Sequence, residues 1–426
     1  MTADTIYALS SGSPPAAIAI IRISGPAADD ALLSLAGTLP PPRRASLVSL
    51  RERGKLLDNA LALRFPGPAS ATGEDLVELH LHGGRAVVAA VTGALGKLTR
   101  LRQAEAGEFT RRAFESGRLD LAEAEGLADL LQSETESQRE AALALASGSL
   151  SRKVETWQSR LLALSAAIEA LLDFSDEGEV GEGMPPGWSE ELRGLSAEIG
   201  AALAGPPVER LKEGIRVVIA GPPNAGKSTL LNALIGREAA ITSSIPGTTR
   251  DLVEAPTAIG GTPFLFVDTA GLRESRDEVE AIGIGRAREV LKRADIILWL
   301  GDPAEAPADP RTLLLLPKSD LPRRSALSTG LAVSARTGEG IGRLVDALRE
   351  RAASLLPKEG DTVLNARHRM ALGQAQELLR CATEEIDPLI AAELVREVRA
   401  ILDRITGRAG VEDMLDALFG RFCIGK

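Results

Sequence analysis

Apolar residues recur along this chain with two different periods, and the change of period divides it. In AIAIIRISG (17–25) and DLVELHLHGG (75–84) apolar and polar positions alternate as in half-buried strands, while PPPRR (40–44) and FPGPASATG (65–73) are turn formers. From about residue 119 the spacing becomes helical. LDLAEAEGLADLLQ is rich in Ala, Leu and Glu, and Leu161, Leu164, Ile168 and Leu172 fall on one helical face. SDEGEVGEGMPPGW (175–188) is a Gly, Pro and acidic loop inside that region. Residues 213–357 alternate short apolar runs with helical stretches, the pattern of a parallel α/β sheet. Helical spacing returns after Pro357, with Val395, Val398, Leu402 and Ile405 on one face. Two helical blocks around an α/β unit predict one helical domain carrying an insertion.

Composition narrows the classes. A chain of 426 residues has room for about three domains, each with a core of its own. No run of about 18 apolar residues is available to span a bilayer, and the N-terminus lacks the basic segment of a secretory signal. The chain has two cysteines, Cys381 and Cys423, too few for a disulfide framework, which suits a reducing, cytoplasmic setting. Cys381, in the helical-looking LLRCATEEI, is expected to be a core thiol. A net charge of −10 speaks against a strongly basic nucleic-acid surface.

The chemistry is concentrated in the α/β block. IRVVIA (215–220) runs into GPPNAGKS (221–228) and then into the helical TLLNALIG, the strand–loop–helix setting of a phosphate-binding loop. Gly221 and Gly226 let backbone N–H groups wrap phosphate oxygens at a helix N-terminus. Lys227 reaches the β/γ-phosphates and Ser228 ligates Mg²⁺. PFLFVDTAGL places Asp268 as a Mg²⁺-linked carboxylate and Gly271 as a γ-phosphate sensor. SSIPGTTRD, with Thr248 and Thr249, has the place of a switch loop closing over the metal. TLLLLPKSD ends a strand with Lys318 and Asp320 spaced as in the guanine-specifying Asn-Lys-x-Asp, although Pro317 stands in place of the Asn. Asp320 can accept both N–H groups of the guanine edge while Lys318 packs over the base, and Ser334 and Ala335 of VSARTGEG back it. Four elements in this order predict GTP. Leu272, after DTAG, cannot orient water as a Gln would. His80 and His82 alternate on one strand with no third ligand nearby in sequence and read as surface or structural residues.

The chain ends RFCIGK. Cys423-Ile424-Gly425-Lys426 has the spacing of a prenylation box, but Gly425 and Lys426 suit it poorly. Together IIRISG, GEDLVELHLHGG, AGEFTRRAFESGRLDLAEAEGLADL, GPPNAGKSTLLNAL, PGTTRD, DTAGLRESRDEVEAIGI and FCIGK make the chain resemble the MnmE (TrmE) family of tRNA-modifying GTPases over essentially its whole length.

That resemblance implies an N-terminal α+β folate-binding and dimerisation domain (1–118), a discontinuous helical domain (119–212 and 358–426) and an inserted Ras-like P-loop GTPase domain (213–357). It implies GTP contacts from Asn224, Ala225, Gly226, Lys227, Ser228 and Thr229. Further contacts come from Ser243, Ser244, Ile245, Pro246, Gly247, Thr248 and Thr249, from Asp268, Thr269, Ala270 and Gly271, and from Lys318, Asp320, Ser334, Ala335 and Arg336. Mg²⁺ falls to Ser228 and Thr249, and K⁺ to Asn224, Ser243, Ile245 and Thr248. The ion would act as an arginine finger does when two G domains pair. Glu280 is the implied catalytic carboxylate. A tetrahydrofolate derivative (5,10-methylene or 5-formyl) is implied at Arg22, Glu78, Arg118 and Lys426, Arg118 replacing the family's more familiar Lys. Cys423 is implied beside the one-carbon unit, as nucleophile or organiser. The implied partners are a second copy of the chain, tRNA and the FAD-carrying flavoprotein MnmG in a heterotetramer, with no membrane. The product is an aminomethyl or carboxymethylaminomethyl group at C5 of the wobble uridine. A ribosome-assembly or RNA-chaperone GTPase and a lipid-anchored switch are the rival classes.

Overall fold

The computed structural model describes residues 4–173, 184–236, 253–268, 289–321, 329–358, 360–409 and 412–426. Packing divides the chain into two units: the first comprises 1–128 and 402–426, the second 129–401. The last segment thus belongs with the N-terminus, because Leu415, Leu418, Phe419 and Phe422 bury against Leu121, Ala124 and Ala128.

The first unit is built on a six-stranded sheet in the order β3-β4-β5-β2-β1-β6. Its strands are β1 (Thr5–Leu9), β2 (Ile18–Ser24), β3 (Ser46–Glu52), β4 (Lys55–Phe65), β5 (Leu76–His82) and β6 (Leu101–Gln103). The alternation read in the sequence is the alternation of faces. Ile21, Ile23, Leu79 and Leu81 face a core that also takes Leu32 of α1 (Ala28–Ala36) and Leu95 of α2 (Arg85–Leu95). The register sets Arg22 opposite Glu78 on the other face, close enough for a cross-strand pair. There Phe109 of α3 (Glu108–Glu115) packs with Ile6, Ala8 and Ala104. Helix α4 (Leu121–Leu131) follows. Helices α1, α2 and α3 supply the helical part of the α+β domain that the family resemblance implies, beside the strands read from the texture of residues 1–118.

The second unit holds helices α5 (Glu136–Ala146), α6 (Ser149–Asp173), α7 (Trp188–Ala204) and α8 (Glu209–Glu213). The expected face of α6 is buried at Leu161, Leu164 and Ile168. Then comes the α/β block, with strands in the order β12-β11-β10-β7-β9-β8. These are β7 (Ile215–Ala220), β8 (Val253–Ile259), β9 (Thr262–Asp268), β10 (Ile296–Leu300), β11 (Thr312–Leu316) and β12 (Leu331–Ala332), with α9 (Lys227–Ile235) between β7 and β8. Pairing is parallel except for the β8–β9 hairpin. Its turn, Gly260–Gly261, has φ of +55° and +80°, which glycine supplies without a Cβ penalty. Central β7 is buried on both sides at Val217, Val218 and Ile219, as a sandwiched parallel strand must be. Helices α10 (Ile341–Ala353) and α11 (Ala366–Glu384) follow, and α12 (Pro388–Thr406) belongs to this unit as far as Ile401. Val395, Val398, Leu402 and Ile405 are all buried.

One expectation fails. Cys381 is exposed, not a core thiol. The buried stripe of α11 is His368, Leu372, Ala375, Leu379 and Ala382, and position 381 lies off that three-and-four spacing.

Candidate functional site

The carboxyl end of the α/β sheet gathers the predicted nucleotide residues, because parallel strands deliver their following loops to one edge. Gly221 leaves β7 with φ +146°, and a Cβ there would stand 2.2 Å from the Leu300 carbonyl oxygen at the end of β10. Only glycine fits this approach. Gly226, at φ +96°, turns the loop into α9. Asn224 between them also has positive φ, +59°.

Lys227 is buried, 8% exposed. Its Nζ donates to the carbonyl oxygens of Gly221 at 3.0 Å and Pro222 at 2.9 Å, curling the loop around the ammonium. The β7–β9 register pairs Ile219 with Asp268, so Asp268 lies beside the loop. Ser228 Oγ donates to Asp268 Oδ2 at 2.6 Å. A hydroxyl and a carboxylate in contact at a helix N-terminus are hard oxygen donors of the kind Mg²⁺ takes.

A cavity of about 380 Å³ adjoins this loop, within the size of a small-molecule site. Ala225, Gly226 and Thr229 line one side, and Pro317, Lys318, Asp320, Ser334, Ala335 and Arg336 the other. Lys318, at φ +57°, donates its Nζ to the Asn224 carbonyl at 3.0 Å. It thereby ties the base loop to the phosphate loop, although Pro317 offers no amide for that purpose. The Asp320 carboxyl is held below the usual carboxylate range by the Ser334 hydroxyl (2.7 Å) and, against some desolvation, by the Arg336 guanidinium. Leu230, Leu300 and Val333 also line the cavity. Sequence reasoning missed them, since each reads as an ordinary core position.

Several expected residues lie outside the described ones: Ser243, Ser244, Ile245, Pro246, Gly247, Thr248, Thr249, Thr269, Ala270, Gly271, Leu272 and Glu280.

In the first unit the expected one-carbon residues are partly gathered. Arg22 donates to Glu78 Oε1 through Nε (3.1 Å) and Nη2 (2.8 Å), and its guanidinium lies 5.8 Å from the Phe109 ring centroid. Glu78 Oε2 is 3.5 Å from His80 Nε2. His82 pairs with Asp58, and among the described residues no cluster of His, Cys, Asp and Glu is placed to hold a metal. Arg118 is exposed and adjoins Gly73, where a Cβ would sit 3.4 Å from Arg118 Cγ. The C-terminal tail is seated on this unit: Ile424 bridges to Ala106, and Gly425, at φ +98°, leaves no room for a Cβ, which would meet the Leu9 carbonyl at 2.1 Å. Lys426 follows directly, and Cys423 is exposed. No hydrogen bond among the described residues joins Arg118 or Lys426 to the Arg22–Glu78 pair.

An unforeseen charge network lies beside it. Arg112, 3% exposed, donates to Glu74 (3.0 Å), Glu108 (3.0 Å) and Asp4 (3.1 Å), while Arg102 bonds Glu108 and Asp4. These residues are scattered in sequence, and no motif spacing announces them. A cavity of about 470 Å³ lined by Glu108, Arg111, Arg112 and Asp416 opens between α3 and the C-terminal helix (Glu412–Phe419).

Comparison with known proteins covers both units. Residues 5–118 match the family described as GTP-binding protein TrmE N-terminus, and residues 121–423 match the MnmE helical domain. The tRNA modification GTPase MnmE of Rhizorhabdus wittichii is 58% identical, covering 99% of this chain and 97% of that protein. Those of Erythrobacter litoralis and Novosphingobium aromaticivorans are 56% and 54% identical, each covering 99% of this chain and 100% of its relative.

Proposed function

This chain belongs to the MnmE family of tRNA modification GTPases, and from that membership we propose how its two sites work. It is a GTP-hydrolysing enzyme of tRNA modification. In the reading advanced here, the Gly221–Ser228 loop takes the triphosphate with Lys227 against the β/γ-phosphates, and Asp320 accepts the guanine edge in the adjoining cavity. Ser228 and Thr249 would hold Mg²⁺, which would supply positive charge against the charge that develops on the phosphates. Asn224, Ser243, Ile245 and Thr248 would hold K⁺ when two G domains pair in the homodimer, in the role of an arginine finger. Glu280 positions the attacking water, since Leu272 has no polar group with which to do so.

In the first unit, Glu78 would accept from the N–H edge of a pterin, and Arg22, Arg118 and Lys426 suit the anionic remainder of a tetrahydrofolate derivative (5,10-methylene or 5-formyl). Cys423 stands on the tail near the one-carbon unit. The flavoprotein MnmG, carrying FAD, completes an assembly that modifies C5 of the wobble uridine with an aminomethyl or carboxymethylaminomethyl group. In this reading 119–212 and 358–426 make up one helical domain interrupted in sequence by the G domain, and the setting is cytoplasmic. Among the described residues no helix is long and apolar enough to cross a membrane.

The observation that carries the nucleotide half is the 2.6 Å Ser228–Asp268 contact beneath a lysine curled into its own loop. The one-carbon half rests on the Arg22–Glu78 pair beside the seated tail. A calorimetric titration with 5-formyltetrahydrofolate tests that half. Saturable binding weakened by Glu78→Gln supports it, and no binding favours a ribosome-assembly GTPase. Retention of full tRNA-modifying activity by Cys423→Ser, with MnmG present, removes Cys423 from the chemistry.

A further inference from the structure

Asp320 carries guanine selection in the reading above, and both of its oxygens are engaged by the protein itself. Ser334 Oγ donates to Oδ1 at 2.7 Å. Arg336 Nε donates to Oδ2 at 3.0 Å, and its Nη2 lies 2.8 Å from that same oxygen. An ionised carboxylate offers about four lone-pair sites, two on each oxygen. Ser334 takes one at Oδ1 and leaves one. Arg336 brings two nitrogens to Oδ2. Guanine presents two donors side by side, N1–H and the 2-amino group, and needs an acceptor at each oxygen. Oδ1 can receive one of them with Ser334 in place, but Oδ2 can receive the other only if Arg336 moves.

Arg336 is free to do so. Its side chain is 77% exposed against 13% for Asp320, and Asp320 is the only partner of its guanidinium among the described residues. We propose that Arg336 is a latch on guanine recognition, a specificity-determining residue that occupies Asp320 Oδ2 until the base displaces it. The latch acts on the second of the two hydrogen bonds. It therefore lowers the affinity for guanine more than for hypoxanthine, which lacks the 2-amino group. An exposed ion pair is weak, so the effect is modest: removing the latch tightens guanine nucleotide binding about two- to fivefold. The inference rests on the guanine reading of this pocket.

The test is an equilibrium titration of the full chain and of its Arg336→Ala and Arg336→Gln variants with N-methylanthraniloyl GDP and with the matching inosine and adenosine diphosphates. Both variants are expected to bind the GDP probe about two- to fivefold more tightly and to gain less for the inosine probe. Raising ionic strength from about 0.05 to about 0.5 M should shrink the gain by screening the wild-type pair. Unchanged or weaker GDP binding in both variants, or an equal gain for inosine, overturns the latch. A wild-type chain that binds the adenosine probe as well as the GDP probe defeats the guanine reading itself, and the latch with it.

Discussion

The lysines of the nucleotide pocket and the arginines on the charged side of the first unit are held in different ways. In the pocket, Lys227 and Lys318 donate to backbone carbonyl oxygens of the phosphate loop. In the first unit, Arg22 is matched to Glu78, and Arg112 and Arg102 to Asp4, Glu74 and Glu108. A phosphate oxygen meeting Lys227 would take up donors now turned to the Gly221 and Pro222 carbonyls, in a charge-assisted bond. A ligand meeting Arg22 or Glu78 trades one ion pair for another and gains little from charge alone. The first arrangement is prepared for a polyanion. The second is already stable, and its ligand must be chosen by shape and hydrogen-bond pattern.

The sharpest way to break this contrast is Lys227→Ala. With no cation in the loop, GTP turnover should fall at least about 100-fold, the scale of losing one charge-stabilising donor. A fall of less than tenfold, in a variant shown to be folded, would deny Lys227 its role. The first unit should instead answer in stability. Arg112→Met removes the buried guanidinium that joins the partly exposed Asp4, Glu74 and Glu108 and should cost about 1–3 kcal/mol, read as a lowered midpoint in urea.

That network also predicts acid sensitivity. Burial alone would raise the Glu108 pKa, but hydrogen bonds from Arg102, the Glu105 backbone and Arg112 outweigh it and hold it below the ordinary 4.5. A group depressed in the folded state stabilises above its unfolded value and loses that contribution as pH falls through the folded one. Stability should therefore drop as pH is taken below about 4.5, and less steeply in Arg112→Met.

Asp320→Asn should weaken GTP binding about 10- to 100-fold, as loss of a bidentate base contact does, and shift preference towards xanthosine triphosphate. Equal GTP affinity in the variant would place the base elsewhere. Gly425→Ala is the mildest change. Positive φ and the Leu9 carbonyl together oppose a Cβ, a strain of about 1–3 kcal/mol. The tail should be released and cut faster by carboxypeptidase, while GTP turnover is unaltered.

Contiguity decided what could be read in advance. The phosphate loop is one run, Gly221 to Ser228; Asp268 ends a strand of the same sheet, and Asp320 and Ser334 follow two others. Their chain order therefore gives their meeting place. The one-carbon residues come from β2, β5, the end of α3 and the C-terminus, and the structure joins only Arg22 and Glu78, through strand register. Spacing cannot announce such a set; resemblance to a family can. Helix α2 was hidden for another reason: RAVVAAVTGAL carries β-branched residues that weaken helix propensity, and burial of Val91, Ala94 and Leu95 settles its form. Cys381 misled because an apolar stretch does not tell which face turns inward.

In the proposed function this chain hydrolyses GTP with K⁺ completing the site around Asn224. Steady-state GTP hydrolysis by the full chain with Mg²⁺, in K⁺ and then in Na⁺ at matched ionic strength, tests it most directly. A K⁺-specific acceleration of at least about tenfold is expected, well within the roughly 10³–10⁵ that a finger-like charge can supply, with its loss in Asn224→Ala. Equal rates in the two salts would contradict it and point to a GTPase awaiting a protein activator.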